Sequence, residues 1–520
     1  MTQNADKKKG SKISRRRFLT GISAGAVASA ISLPNVVHAH PTGQSIDQVN
    51  NKNFSRLFPN LPAFVQASDE ARAAMIDIGK PGGLMDAKDP LQEGPVRLIT
   101  NPELSPNNRD NPAHTAGVTF LGQFLDHDMT FDTTSFLGVP KRPEDSLNTR
   151  NPVFDLDTVY GGGPSASSHL YRSDRIKFKV ESGGQFEDLP RGADNTAIIA
   201  DPRNDENMML SGLQVMFLRA HNNAVDLLSS QGVPRSQQFA KAQELIRRHY
   251  QWIIVNEFLP LVCGNSVVRD ILRNGRRFYR PQEGQQTIPV EFQVAYRMGH
   301  SMIRPSYRAN LAGDNGLPFF GFIFDPAGQG RSDPVDLRGG ARARRRFIGW
   351  QTFFNFGDGN VRPNKRLDTK LSTPLFRLPL NTIAGPETGV ISLAARNLLR
   401  SITWSLPSGI EVARAMGVQA LNSDNFSELR QYGGNLRLAS NPPLWYYVLR
   451  EADLMADGLN LGPMGGRLVA EVFIGLLQLD PNSYLRQNNW RPSLPAQQSG
   501  TFNMTDLLRF AQVDPGSRGQ

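Results

Sequence analysis

Residues 201–230, "DPRNDENMMLSGLQVMFLRAHNNAVDLLSS", constrain the fold more than any other stretch of this chain. Asp201 suits a helix N-cap and Pro202 the first helical position, where its fixed φ is already helical. Leu210, Leu213, Phe217, Ala220 and Val225 then recur at helical spacing. Residues 236–264 repeat the pattern and are expected to end near Leu259-Pro260. Further helical candidates are 68–79, 288–303, 389–402, 408–416, 442–455 and 466–477, whereas alternating strand patterns are few and short. The expected class is mainly α: one large helical domain with long loops and little β.

At 520 residues, 39% hydrophobic and 20% charged, the chain can bury a large core. Its 36 Pro and 47 Gly are dispersed, which implies long irregular connections rather than low complexity, and no internal repeat is evident. Residues 40–110 read as a polar, Pro/Asn-rich arm and 111–520 as the main domain, with 133–200 mostly loop. Cys263 is the only cysteine, so an internal disulfide and a C-x-x-C-H haem attachment are both excluded.

The net charge of +10 invites a nucleic-acid reading, but residues 1–39 carry +6 of it. The densest remaining basic run, "RGGARARRR" from Arg338 to Arg346, reads as a solvated loop, with no zinc-finger or RNP-like pattern beside it. Nucleic acid is not expected as a partner. Within 1–39, Arg15 and Arg16 precede Phe18, Leu19 and a mildly apolar stretch closing on Val37-His38-Ala39. This resembles a bacterial twin-arginine signal peptide and implies export by that machinery to the periplasm or beyond. The stretch is short and holds Gly, Ser and Pro, which disfavours a stable membrane span.

Four stretches pair unusual polar residues three positions apart among apolar neighbours. They are Gln123/Asp126 (with His127), Arg203/Glu206, Arg297/His300 and Asn397/Arg400. On a helix Gln123, Asp126 and His127 share a face, while Asp128 points about 100° away from His127. Singly, each has an ordinary explanation: a core histidine, a short-range ion pair, a satisfied amide.

Together, "GQFLDHD" (Gly122 to Asp128), "ADPRNDE" (Ala200 to Glu206), "FLRAHN", "EFLPLVCG", "AYRMGHSMI" (Ala295 to Ile303) and "RNLLRSITWSLPSG" (Arg396 to Gly409) resemble the successive motifs of the animal haem peroxidase family. The resemblance runs over roughly residues 50–515. It implies haem b, with His127 as distal acid/base, Arg203 as distal arginine, His300 as iron ligand and Asn397 as its hydrogen-bond partner. Arg297, and with it Arg400, would pair with haem propionates. Asp126 and Glu206 would be the carboxylates that form haem esters in vertebrate members. The family's sulfonium-forming Met falls at Asn207, so that link is not expected. Asp128, Asn151, the Val153 carbonyl, Asp155 and Asp157 would bind a structural Ca2+. Gln123 matches a position implicated in halide binding. The implied activity is reduction of H2O2 through an oxyferryl intermediate, with oxidation of a halide, thiocyanate or phenol. One departure is Ile402 to Ser405, "ITWS" where the family carries "RDHG", for which altered packing is expected.

Two other functions compete on the same fold. A haem-dependent fatty-acid dioxygenase would place a tyrosine three residues before His300, where this chain has Arg297, with Tyr296 one residue off. A peroxinectin-like adhesion protein would carry an Arg-Gly-Asp or Lys-Gly-Asp tripeptide, and none is found. A zinc or iron hydrolase built on Asp126-His127-Asp128 lacks a companion histidine at ligand spacing.

Overall fold

The computed structural model describes residues 53–382 and 389–520. The expected signal peptide lies outside the described residues. What is described is mainly helical, with three two-stranded antiparallel sheets. No helix among the described residues is long and apolar enough to cross a membrane.

The core gathers around two helices, Leu444–Ala456 and Pro463–Leu479. Both are apolar on nearly every side and buried accordingly. Against them pack Val290–Ala295 and the 3-10 turn Tyr296–His300. The Ala116–Met129 helix lies on Met208–Ser230 and touches that same turn, which brings the His127 and His300 segments together. Residues 53–110 of the expected arm supply core side chains, including Phe54, Phe64, Met75 and Ile78. The Asp69–Gly79 helix, capped by Ser68, packs on Leu393–Thr403 so closely that a Cβ on Gly79 would strike the backbone of Ala395.

Three expected helices are interrupted. The 201–230 segment is a 3-10 turn, Pro202–Asp205, followed by an α-helix that begins only at Met208. Asp201 caps the first element, and Asn207 caps the second by accepting from Leu210 N at 3.0 Å. Two capping residues six apart mark two starts, of which the periodicity reveals one. The 236–264 segment does not stop at Pro260; it passes through a π-turn, Ile254–Phe258, and continues to Cys263. Widening the ladder before Pro260 accommodates its missing N–H and its ring. The 288–303 segment tightens from α to 3-10 at Tyr296.

The hairpin of Ser306–Asp314 and Leu317–Phe322 was not expected. Its turn, Asn315-Gly316, has φ of 52° and 88°, the left-handed pair that a two-residue hairpin turn requires. The basic run is not a solvated loop either. Arg338 is buried on Asp336 at 2.7 Å, Arg342 pairs with Glu181 and Asp188, and Arg345 with Asp333. Arg346 is buried and donates to the carbonyls of Pro334 and Asp336. The planar forks of these arginines tie loops together internally.

Candidate active site

The helix holding GQFLDHD forms as its spacing implies. Gln123, Asp126 and His127 face one cleft, while Asp128 is buried on another side. The cleft has a cavity volume of about 250 Å³ and is also lined by Arg203, Glu206, Arg297, His300 and Arg400.

His127 Nδ1 lies 2.9 Å from Asn204 Oδ1. Asn204 donates its amide hydrogens to Thr158 Oγ1 at 3.0 Å and Gln214 Oε1 at 2.8 Å, so its oxygen is the atom left for the imidazole. Nδ1 therefore carries the proton and Nε2 keeps its lone pair. Burial and the nearby Arg203 push the His127 pKa down to about 3, so the ring is neutral near pH 7.

Arg203 is not paired with Glu206. Its Nε and Nη2 hold the two oxygens of Asp201 at 3.1 and 2.8 Å, Nη2 also donates to His127 O at 3.0 Å, and its face lies 4.1 Å from the centre of the Phe131 ring. Asp201, wholly buried, is shared with Arg150 at 2.7 Å. A guanidinium pinned on one edge and one face leaves Nη1 for a guest in the cleft.

His300 is also held neutral, its pKa lowered to about 3 by burial and Arg297. Its Nδ1 is 2.7 Å from Asn397 Nδ2, whereas Asn397 Oδ1 accepts from Arg297 Nη1 at 3.1 Å. The amide is thus turned opposite to the expected sense, with its nitrogen toward the imidazole. Arg297 also donates to Gln293 Oε1 at 3.3 Å, and burial with the nearby Arg400 lowers its pKa to about 9. A buried cation held by neutral oxygens claims the amide oxygen. Arg400 lines the cleft but already has a carboxylate, Asp132, at 3.2 Å, and lies over Trp404. Trp404, from "ITWS", is fully buried against Phe54.

Asp126 and Glu206 are half-buried in the cleft wall, and desolvation raises both, Glu206 to about 8. Gln123 donates to Glu206 Oε2 at 3.1 Å and accepts from Asn207 Nδ2 at 3.3 Å. Asn207 faces the cleft and Met208 does not line it, in keeping with the absence of a sulfonium partner.

Asp128, Asp155 and Asp157 bring carboxylate oxygens within 4.8 Å of one another. Burial and mutual repulsion raise Asp128 well above the usual carboxylate range and Asp155 to about 7. Between the two loop acids Leu156 takes a left-handed φ of 63°, and its N–H donates to Asp128 Oδ2 at 3.1 Å. Tyr250 donates to the same oxygen at 3.1 Å. Asn151 is at the cluster, its amide nitrogen 3.2 Å from Asp155 Oδ2, while Val153 is half-buried in the same turn. Three converging hard oxygens in a strained, buried loop fit a calcium-sized cation that would relieve their repulsion.

Residues 132–318 match the family model described as animal haem peroxidase, a span that includes Arg203 and His300. Over that span the chain is similar to the animal haem peroxidase family. Chorion peroxidase of Aedes aegypti is 25% identical over 374 residues, covering 68% of this chain and 44% of its own. Human eosinophil peroxidase is 22% identical over 284 residues, 40% of this chain and 39% of its own. The chain thus spans less than half the length of these curated relatives. Among solved structures, peroxidase A of Dictyostelium discoideum aligns with a TM-score of 0.60 at 16% identity, covering 88% of this chain and 92% of that one. A fatty acid alpha-dioxygenase of Arabidopsis thaliana aligns at 0.54 and 14% identity, covering 88% and 75%. At such identities the likeness speaks for the fold.

The haem that this family implies fits the residues present. Two neutral imidazoles line one cleft, and the buried Arg297, with only amide oxygens as hydrogen-bond acceptors, calls for an anionic group there. Sequence reasoning missed Asn204, Asp201, Arg150 and Tyr250, all of which orient the residues it singled out.

Proposed function

We propose that this chain is a haem peroxidase that reduces H2O2 and oxidises a small donor: a halide, thiocyanate or a phenol. The observation that carries the reading is His127, neutral with Nε2 free, beside an Arg203 whose Nη1 is uncommitted, in the cleft that also receives His300. His300 would hold the haem iron, Arg297 a propionate, and Asp126 and Glu206 the ring edge, with or without ester links. Bound haem would supply the two electrons that reduce each peroxide and recover them from the donor. His127 Nε2 takes the proton of one peroxide oxygen and returns it to the other, which leaves as water. Arg203 Nη1 favours the negative charge that develops on the departing oxygen. Two phenols would return one electron and one proton each and complete a second water, whereas a halide or thiocyanate would give both electrons and, with a proton from solvent, leave with the second oxygen as its hypo-acid. Gln123, with one amide hydrogen on Glu206, has the other for an anionic donor. The acidic site would take Ca2+, and residues 1–39 support export by the twin-arginine route, to the periplasm or beyond.

The test is the absorption spectrum of haem-loaded protein before and after one equivalent of H2O2, beside His300→Ala. A histidine-ligated ferric band that shifts with peroxide, and is lost in the variant, supports the reading. Haem that ignores peroxide sinks it.

One observation favours a second reading, fatty-acid oxygenation. Tyr296 lines the cleft despite its offset, its hydroxyl donating to Gly122 O at 2.9 Å. Oxygen uptake with a long-chain fatty acid that vanishes in Tyr296→Phe, peroxide reactivity being intact, would put that reading first.

A further inference from the structure

Between the acidic site and the cleft runs a buried ion triad. Asp201 Oδ2 accepts from Arg203 Nη2 at 2.8 Å on one side and lies 2.7 Å from Arg150 Nη2 on the other. The other nitrogen of the Arg150 fork, Nη1, lies 3.7 Å from Asp157 Oδ1. The side chains of Arg150, Asp201 and Arg203 are 8%, 0% and 11% exposed, so water screens none of these attractions well. Both guanidiniums lie over the Phe131 ring, that of Arg203 4.1 Å and that of Arg150 6.0 Å from its centre.

We propose that Arg150 and Asp201 transmit occupancy of the Asp128/Asp155/Asp157 site to Arg203, so that cation binding there sets the guanidinium that faces the cleft. The proposal rests on the reading of both sites given above. Arg150 divides one positive charge between two carboxylates. A divalent cation on Asp157 competes with Arg150 for that carboxylate and repels its guanidinium, which then settles on Asp201. Without the cation Arg150 is drawn toward Asp157. Asp201 is bidentate to Arg203, so any displacement of the carboxylate displaces Nε and Nη2 together, and Nη1 with them. The triad is thus a positioning device that touches neither peroxide nor haem. A parallel route exists, because Asp128 adjoins His127 on one helix. The test must separate the two.

The probe is cyanide, an anion that binds ferric haem from the distal side and is read by absorption. Its Kd is measured on haem-loaded wild type with saturating Ca2+ and with a chelator. Ca2+ affinity is measured by calorimetry with and without cyanide, and on the haem-free chain. Linkage requires the same factor in both directions. In wild type that factor is expected to be about fivefold or more, the lower end of usual coupling. Arg150→Gln should still bind Ca2+, more tightly because the competitor is gone, and its factor should fall below about twofold. Arg150→Lys, with one ammonium in place of a fork, should lose at least half of the wild-type coupling energy, and it serves if the Gln variant does not fold. Full coupling in both variants overturns the proposal and assigns the signal to the His127 helix. Absence of coupling in wild type, with both ligands bound, also overturns it. A chain that takes no haem, or no Ca2+, fails earlier and identifies which of the two site readings was wrong.

Discussion

Asn204 presents its carbonyl oxygen to Nδ1 of His127 at 2.9 Å because both hydrogens of its amide are committed, to Thr158 and to Gln214. The proton therefore sits on Nδ1, and Nε2 is the base. Asn204→Leu removes that instruction while roughly keeping the volume. The second-order rate of the absorption change with H2O2 should fall about 10²-fold, the lower range for loss of a positioned acid/base group. Stability in urea should fall by about 1–3 kcal/mol, from buried partners left unpaired. An unchanged peroxide rate would show that the tautomer is fixed by something else.

Arg297 should have opposite effects on the empty and the loaded protein. Its hydrogen-bond acceptors are the amide oxygens of Gln293 and Asn397, and burial depresses its pKa to about 9. Arg297→Gln removes a poorly compensated buried charge, so the haem-free chain should gain roughly 1–3 kcal/mol in urea unfolding. Haem affinity should drop by about 2–5 kcal/mol, because a propionate loses its partner. Loss of stability in the haem-free variant would mean that Arg297 is already compensated without haem.

The sequence was legible where chemistry and periodicity agreed. Gln123, Asp126 and His127 share a face because the segment is an uninterrupted helix of 14 residues, and three- and four-residue offsets then suffice. It was less legible where the backbone changes pitch. Arg203 and Glu206 were read on one helix, but a 3-10 turn ends between them and Asn207 starts a new helix, so Arg203 turns to Asp201 instead. Asp201 looked like a cap, and it is one; that it also anchors two arginines depends on Arg150, 51 residues earlier, which no local pattern reveals. The Arg338–Arg346 run misled because composition describes the exposed case, whereas Arg338 is buried on Asp336 two residues before it and Arg342 pairs with Glu181 and Asp188 from distant loops. The Asn315-Gly316 turn was readable and was overlooked.

Acid stability can be tested away from the cleft, at His249. Its Nδ1 donates to Leu245 O, and Nε2 accepts from the backbone N–H groups of Ser493 and Leu494 at 3.0 and 3.1 Å. Burial lowers its pKa from 6.5 to about 4. A depressed histidine pKa means that the unfolded chain takes the proton first. The contribution is therefore full above pH 6.5 and falls as the pH drops toward 4, by about 1.4 kcal/mol per unit and about 3 kcal/mol in all. His249→Gln does not titrate there, so the stability difference between wild type and variant cancels the other groups. That difference should shrink by this amount between pH 7 and pH 4, read from urea midpoints. A constant difference would mean that the ring is not neutral in the folded chain.

Asn397 sets the remaining test, because the orientation of its amide must change when His300 binds iron. In this structure Asn397 Nδ2 faces His300 Nδ1, and Oδ1 accepts from Arg297. Iron ligation through Nε2 puts the proton on Nδ1, which then needs an acceptor. A propionate on Arg297 frees Oδ1, and the amide can turn over. An amide oxygen accepts less strongly than a carboxylate, so the imidazole stays less anionic and the ferrous state is less disfavoured. Asn397→Asp should therefore lower the ferric/ferrous potential. A charge-assisted bond stronger by about 1.4 kcal/mol corresponds to roughly 60 mV for one electron. Spectroelectrochemistry reads the potential, and the iron–histidine stretch in resonance Raman should rise as the potential falls. If both stay at the wild-type value, the amide has not turned, and the Arg297–Asn397 bond persists in the loaded protein.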